Sequence, residues 1–149
     1  MATPKFKPCM QHQPMLFPPS VEELIPEGAL VRVVDSIVDG MDRSVLESAY
    51  PGGGASAHDP SMMLKVVLFC YASGIYSSRK IAAATRENVN LMWLTGMTPP
   101  DHATINRFRS DRIRPAFEAI FTELVALLAE KGMLDLSTYF LDGTKIECV

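Results

Sequence analysis

The stretch from Asp59 to Gly74 constrains this chain more than any other. Asp59-Pro60 is a strong helix start. An Asp side chain accepts from the first free amides, and a Pro at the first helical position has no N–H to leave unsatisfied. From Met62 to Ile75 the residues are apolar almost without break, and Lys65 is the one charge. Such a run is too short to span a bilayer. A helix over Pro60 to Ser73 that is apolar on nearly every side needs other elements around it, so it belongs at the centre of a bundle. Gly74 ends it.

The rest of the chain supplies those surroundings. Residues 1–19 are rich in Pro and Gln, show no period, and read as an extended arm. Ser20 and Glu23 have capping-box spacing, which predicts a single turn around Val21 to Ile25. Leu30, Val33, Val34, Ile37 and Val38 recur at helical spacing and predict a helix near Glu27 to Val38, with Gly40 as a left-handed cap. A shorter helix is expected from Arg43 to Ala49. Pro51-Gly52-Gly53-Gly54 breaks the chain; with no strand before it and no Lys-Ser or Lys-Thr pair after it, it is a connector and not a phosphate loop. Beyond Gly74, Ser77 or Ser78 caps a short helix, Arg79 to Arg86. A second runs from about Asn90 to Leu94 and stops at Gly96, with Met92 and Trp93 filling core space. Pro99-Pro100-Asp101 forms a turn and a cap for a third helix, His102 to about Ile113. A long amphipathic helix follows from Arg114 to Lys131, with Phe117, Ile120, Phe121, Leu124, Leu127 and Leu128 as its apolar stripe and Gly132 closing it. Tyr139, Phe140 and Leu141 then favour one buried strand ending at Asp142. A lone strand is unstable without partners. The expected fold class is therefore mainly α: a helical bundle containing a helix-turn-helix-like segment, followed by one C-terminal strand.

Composition narrows the function classes. The 149 residues, 48% of them apolar, suit one packed domain or one domain plus a fragment. Cys9, Cys70 and Cys148 are an odd count and far apart, which argues against a disulfide framework and for a reducing cytosol. The start has no apolar signal core. A net charge of −3 does not by itself suggest a nucleic-acid partner. Its distribution does more. Between Ser77 and Arg114 stand seven bases (Arg79, Lys80, Arg86, Arg107, Arg109, Arg112 and Arg114) against Glu87, Asp101 and Asp111, a local net of +4 in an otherwise acidic chain. Such asymmetry is the footprint of an anionic partner, or of an ordinary solvated face.

Three constellations could carry chemistry. The first is the helical trio from Ser77 to Arg114. Short helix, short helix, tight turn and basic helix is the pattern of a helix-turn-helix DNA reader, whose last helix enters the major groove. On a helical wheel Ile105 and Phe108 point one way, toward a core. Arg107, Ser110 and Arg114 point the other, with Thr104 and Asn106 beside them and His102 at the start. Arg107 and Asn106 suit guanine and adenine edges, and Arg114 suits phosphate. Arg109 and Arg112 lean to the apolar side, where carboxylates such as Asp111 or Glu118 are the expected partners. The pattern equally fits a structural three-helix corner with solvated arginines. The second constellation is Asp142 at the strand end, either a turn residue before Gly143 or a ligand for a divalent cation with Glu147 nearby. The third, Cys9 with His12, has zinc-ligand spacing but no second pair at a fitting distance. His58 and His102 stand alone.

Together these residues resemble a known family. Pro18-Pro19-Ser20-Val21-Glu22-Glu23-Leu24-Ile25-Pro26 and Val31-Arg32-Val33-Val34-Asp35 look like its start. Ser77-Ser78-Arg79-Lys80-Ile81-Ala82, then Pro100-Asp101-His102-Ala103-Thr104-Ile105-Asn106-Arg107-Phe108-Arg109, then Leu141-Asp142-Gly143-Thr144-Lys145-Ile146-Glu147 follow in order. The resemblance is to the InsH-type N-terminal domain of bacterial insertion-sequence transposases and covers roughly residues 11 to 147. It implies a helical region that engages terminal inverted repeats of double-stranded DNA. It also implies an RNase H-like domain beyond, with an Asp-Asp-Glu triad and Mg²⁺. Asp142 falls on the first triad acid and would ligate Mg²⁺ in the intact enzyme. The expected division is an arm over 1–19, a helical domain over 20–134 and the start of a truncated catalytic domain over 135–149. As the sequence lacks the second Asp and the Glu, the expectation is a cytoplasmic fragment that binds DNA through Arg79, Lys80, His102, Thr104, Asn106, Arg107, Ser110 and Arg114. It would need no cofactor of its own and would not cut. The rival expectation is a helical module that assembles as a homo-oligomer or joins and inhibits full-length transposase, with no membrane partner in either case.

Overall fold

A computed structural model describes residues 3–48, 58–130 and 132. Among them the regular elements are all helical. A single 3-10 turn, Glu22–Leu24, precedes α1 (Leu30–Asp39), α2 (Arg43–Glu47), α3 (Pro60–Ala72), α4 (Ser78–Glu87), α5 (Val89–Thr95) and α6 (His102–Arg107). A π-helical segment, Phe108–Ile113, continues α6, and α7 (Phe117–Glu130) follows. The mainly α reading holds for these residues. The expected strand, Asp142, Glu147, the Pro51–Gly54 connector, the end of the short helix at Ala49 and Lys131 lie outside the described residues.

The centre of the bundle is α3, as its apolar surface requires. Asp59 accepts from the Met62 amide at 3.1 Å, and Pro60 opens the helix. Met63, Leu64, Val66, Val67, Phe69 and Cys70 are all buried. Burial of side chains of this size stabilises by about 1.5–3 kcal/mol each relative to exposure. α1, α2 and α5 pack around α3, and α7 lies against α1 and α2. The one charge on α3 is answered from α1: Lys65 Nζ sits 2.7 Å from both Asp35 and Asp39, one helical turn apart. Burial alone would lower the Lys65 pKa, but the two carboxylates outweigh it and hold it above its ordinary value. Burial pushes the Cys70 thiol up to about 11, which keeps it unreactive.

Local chemistry explains where the helices start and stop. α1 begins at Leu30, later than its periodicity predicts, because Pro26 to Gly28 form a turn closed by the Ala29 amide on the Pro26 carbonyl at 3.2 Å. Gly40 is not the left-handed cap expected. Its φ is −78°, and its amide bonds the Ser36 and Ile37 carbonyls while the chain runs on to bury Met41. Left-handed glycines do end α3 and α5, at Gly74 (φ +82°) and Gly96 (φ +58°). Arg43, on α2, reaches Glu47, Ser61 and Asp59 and so ties α2 to the start of α3.

The third and fourth predicted helices meet differently from expectation. α-Helical geometry stops at Arg107, and the Arg114 amide bonds the Arg109 carbonyl, five residues back, at 3.2 Å. Pro115 is the physical reason. It has no N–H to donate, and its ring crowds the carbonyl four residues earlier, so the preceding turn widens. α7 therefore starts at Phe117 and not at Arg114. Its apolar stripe is also broader than the surface that covers it. Ile120 is buried, Leu124 and Leu127 pack against the core, and Phe117 and Phe121 remain 55% and 47% exposed.

Candidate nucleic-acid interface

The trio is built from caps and from a few deep apolar contacts. Ser77 accepts from the Lys80 amide and starts α4; Asn88 accepts from the Asn90 amide and starts α5. Asp101 accepts from the Thr104 amide at 2.7 Å and starts α6. Short polar side chains win these positions because they satisfy amides that the helix itself cannot. α4 packs against both α5 and α6. Ile81, Leu91 and Ile105 are completely buried between them, and Phe108 nearly so. Ile105 and Phe108 thus lie inward, as the wheel predicts.

The opposite surface carries most of the residues singled out by sequence. Arg79 and Lys80 are exposed on the first turn of α4, and His102, Asn106 and Arg107 on α6. Arg114 is exposed just beyond the π-helical segment. Thr104 is half-buried, with its amide taken up by Asp101. Ser110 is also half-buried, and its hydroxyl is turned back to the Asn106 carbonyl at 2.9 Å and toward Asp111 at 3.2 Å, so it points less freely outward than predicted. Hydrogen bonds from Thr104, with smaller help from the His102 and Arg107 charges, hold the Asp101 carboxyl below its ordinary value.

Arg109 plays a different part from the one expected. Its guanidinium meets neutral oxygens and not carboxylates. It donates to the Tyr71 hydroxyl at 3.0 Å, the Tyr76 carbonyl and the Ser78 hydroxyl. These groups lie at the end of α3, in the loop after it and at the start of α4, so Arg109 fixes the angle between the α6 end and the rest of the trio. The fork geometry of guanidinium suits three acceptors at once. Tyr71 and Tyr76 stack obliquely beside it, 5.8 Å between ring centres.

Trp93 packs against the core as expected, and it does more than fill space. It is half-buried, and its ring N–H donates to Glu22, 71 residues earlier. The Arg32 guanidinium lies 5.0 Å over its ring and bonds Glu22 Oε1 at 2.6 Å and the Glu22, Ile25 and Pro26 carbonyls. This cluster ties the root of the N-terminal arm to α5. No spacing rule connects Glu22, Arg32 and Trp93, so it was invisible in the sequence.

Two sets of described cations differ in their partners. From the 3-10 turn to the end of α3, Arg32, Arg43 and Lys65 each face a carboxylate within ion-pair distance. In the trio, Arg79, Lys80 and Arg114 are exposed and have no ion pair among the described residues, while Arg86 and Arg109 bond only neutral oxygens. Solvated or neutral-bonded cations on one segment keep their charge available for an outside anion.

Residues 19–111 match the transposase domain family DUF772. The chain belongs to this family of transposase domains. It is 31% identical over 99 residues to the probable transposase for insertion sequence element ISH11 of Halobacterium salinarum, in each of two strains. That stretch is 65% of this chain and 29% of each relative, so the chain spans less than a third of the curated relatives it matches. No solved structure matches. The trio from α4 to α6 falls within the transposase-domain match. Among the described residues no group of three or more His, Cys, Asp or Glu could hold a metal ion, and no helix is long and apolar enough to cross a membrane.

Proposed function

We propose that this transposase-family chain serves transposition by binding double-stranded DNA of the element ends, in the cytoplasm, through the α4–α6 trio used as a helix-turn-helix-like unit of the InsH type. The observation that carries the reading is the division of cations. From the 3-10 turn to the end of α3, Arg32, Arg43 and Lys65 each pair with a carboxylate, while Arg79, Lys80 and Arg114 stand exposed with no ion pair among the described residues. α6 would lie in the major groove, with Arg107 and Asn106 at base edges. Arg79, Lys80 and Arg114 would lie on phosphates, and Arg109 would hold α6 at its angle. Strand cleavage is assigned to no described residue. By resemblance Asp142 would be the first of three acids that hold Mg²⁺ in an intact enzyme, where the ion supplies charge stabilisation for phosphoryl transfer.

The test is equilibrium binding of the chain to a labelled duplex carrying the element end and to a random duplex, over a range of salt. The expected result is tighter binding to the end sequence and affinity that falls steeply with salt through counterion release. Arg107→Ala should weaken end binding by roughly 1–3 kcal/mol and flatten the preference. Lys80→Ala should weaken both duplexes alike and reduce the salt slope by about 1. Equal affinity for both duplexes would remove the specificity claim, and no salt-dependent retention at all would remove the DNA reading.

A further inference from the structure

Two exposed regions of this chain are complementary to each other. The first is the outer face of α7. Phe117 and Phe121 stack with ring centres 5.8 Å apart and are about half exposed. Helical spacing sets Val125 and Leu128 on the same side, and both are only half-buried. The charges on α7 are Glu118, Glu123 and Glu130, with no base among them. Glu123 is turned inward to the Asp42 amide, while Glu118, beside Phe117, rims the stripe. The face is therefore apolar with an acidic edge.

The second region is the arm. Phe6, Met10, Met15, Leu16 and Phe17 are 65–88% exposed. Beside them stand Lys5, Lys7 and His12, and the first acid of the chain is Glu22. The arm is therefore apolar with a basic edge. Pro4, Pro8, Pro14, Pro18 and Pro19 favour extended backbone, which lowers the ordering cost of laying it along a helix. Its root is fixed by the Glu22, Arg32 and Trp93 cluster, so its origin is set although its length is uncovered.

We propose that the arm of one copy docks on α7 of a second copy, and the second arm on the first α7, giving a two-fold dimer by arm exchange. The fit is of charge and hydropathy together: lysines beside Phe6 meet Glu118 beside Phe117, and the arm's apolar side chains cover the Phe117–Phe121 stripe. In the single chain both surfaces face solvent, and a reciprocal exchange covers both at once. A closed two-fold contact satisfies the arm and the helix without leaving a copy of either open. This inference does not depend on the DNA reading.

The experiment is sedimentation equilibrium of the full chain and of two charge-reversed forms, Lys5→Glu with Lys7→Glu, and Glu118→Lys. All three positions are exposed, so the fold should persist, and circular dichroism verifies it. The expected result is a concentration-dependent dimer whose dissociation constant rises about tenfold or more in each variant alone. Mixing the two variants should restore association, because one contact in the mixed dimer then has both charges exchanged and the other is unaltered. A monomer at every concentration overturns the proposal and leaves the stripe to the chain's own arm or to another domain. A dimer indifferent to both reversals overturns it by placing the contact elsewhere. Loss of DNA retention in the Lys5→Glu, Lys7→Glu form with no change in dimerisation overturns it by giving the arm to DNA.

Discussion

The segment from α3 to α6 and the two flanks, the arm and α7, are similarly rich in apolar residues, yet they use them in opposite ways. Along α3 to α6 most large apolar side chains go inward: Met63, Leu64, Ile81, Leu91 and Ile105 are all but inaccessible, with Tyr71, Tyr76, Val89 and Met97 as the exposed exceptions. Caps at Asp59, Ser77, Asn88 and Asp101 close each helix start with a side-chain acceptor. In the flanks, Phe6, Leu16, Phe17, Phe117 and Phe121 stay open to solvent. The difference teaches that hydrophobicity alone does not assign a residue to the core. The first region folds on itself, while the second carries apolar surface that a partner would cover.

The comparison breaks if truncating one residue from each region costs the same. Ile105 is fully buried between α6 and its neighbours, so Ile105→Ala should destabilise by about 2–5 kcal/mol, the lost burial plus the cavity left behind. Phe121→Ala removes more carbon but from a side chain that is 47% exposed on a surface helix, and its effect on monomer stability should be far smaller. Urea unfolding of dilute protein measures both. A Phe121 effect equal to that of Ile105 would place α7 in the core and abolish the distinction.

A smaller effect sharpens the comparison inside the trio. Arg109→Ala removes three hydrogen bonds from a half-buried cation to Tyr71, Tyr76 and Ser78. The expected cost is about 1.5–3 kcal/mol, the range for hydrogen bonds to a charged group. Arg109→Lys should recover little of it, because an ammonium has no planar fork to reach all three oxygens. If binding to DNA falls in proportion to lost order, its salt dependence should stay unchanged. A lower salt slope would instead make Arg109 a phosphate contact.

Which of these features could be read in advance follows from distance along the chain. Asp59-Pro60, the apolar run after it and the inward pair Ile105 and Phe108 are local patterns, and the fold obeys them because capping and burial act within a few residues. Helix limits near Pro26 and Pro115 shifted: a tight turn closed by the Ala29 amide follows Pro26, the Pro115 ring acts on the turn before it, and periodicity registers neither. The Arg109 clamp and the Glu22, Arg32 and Trp93 cluster join positions 31 to 38 and up to 71 residues apart, and no pattern in the sequence signals them. For the candidate interface the cationic residues were legible by type. That Arg79, Lys80 and Arg114 have no ion pair among the described residues was not, because that depends on where the acids of the other helices fall.

The smallest expected effect concerns acid, and it tests whether the caps of the trio act through charge. Hydrogen bonds from Thr104 depress the folded-state pKa of Asp101 below its ordinary 3.8. A carboxyl depressed on folding contributes stability above its unfolded pKa, and that contribution is lost as pH falls through the folded value. Asp101→Asn keeps a good capping oxygen and removes the titration. Near neutral pH the native chain should therefore melt slightly above the variant. The gap should close as the pH drops below 3.8, where Asp101 protonates and can no longer act as an ionised acceptor. Asp42 and Asp59 are depressed as well, so both chains lose stability in acid, and only the difference between them reports on Asp101. Thermal melts of the two chains across the acid range measure it. A gap that persists unchanged at low pH would mean that Asp101 stabilises α6 by its shape and not by its charge.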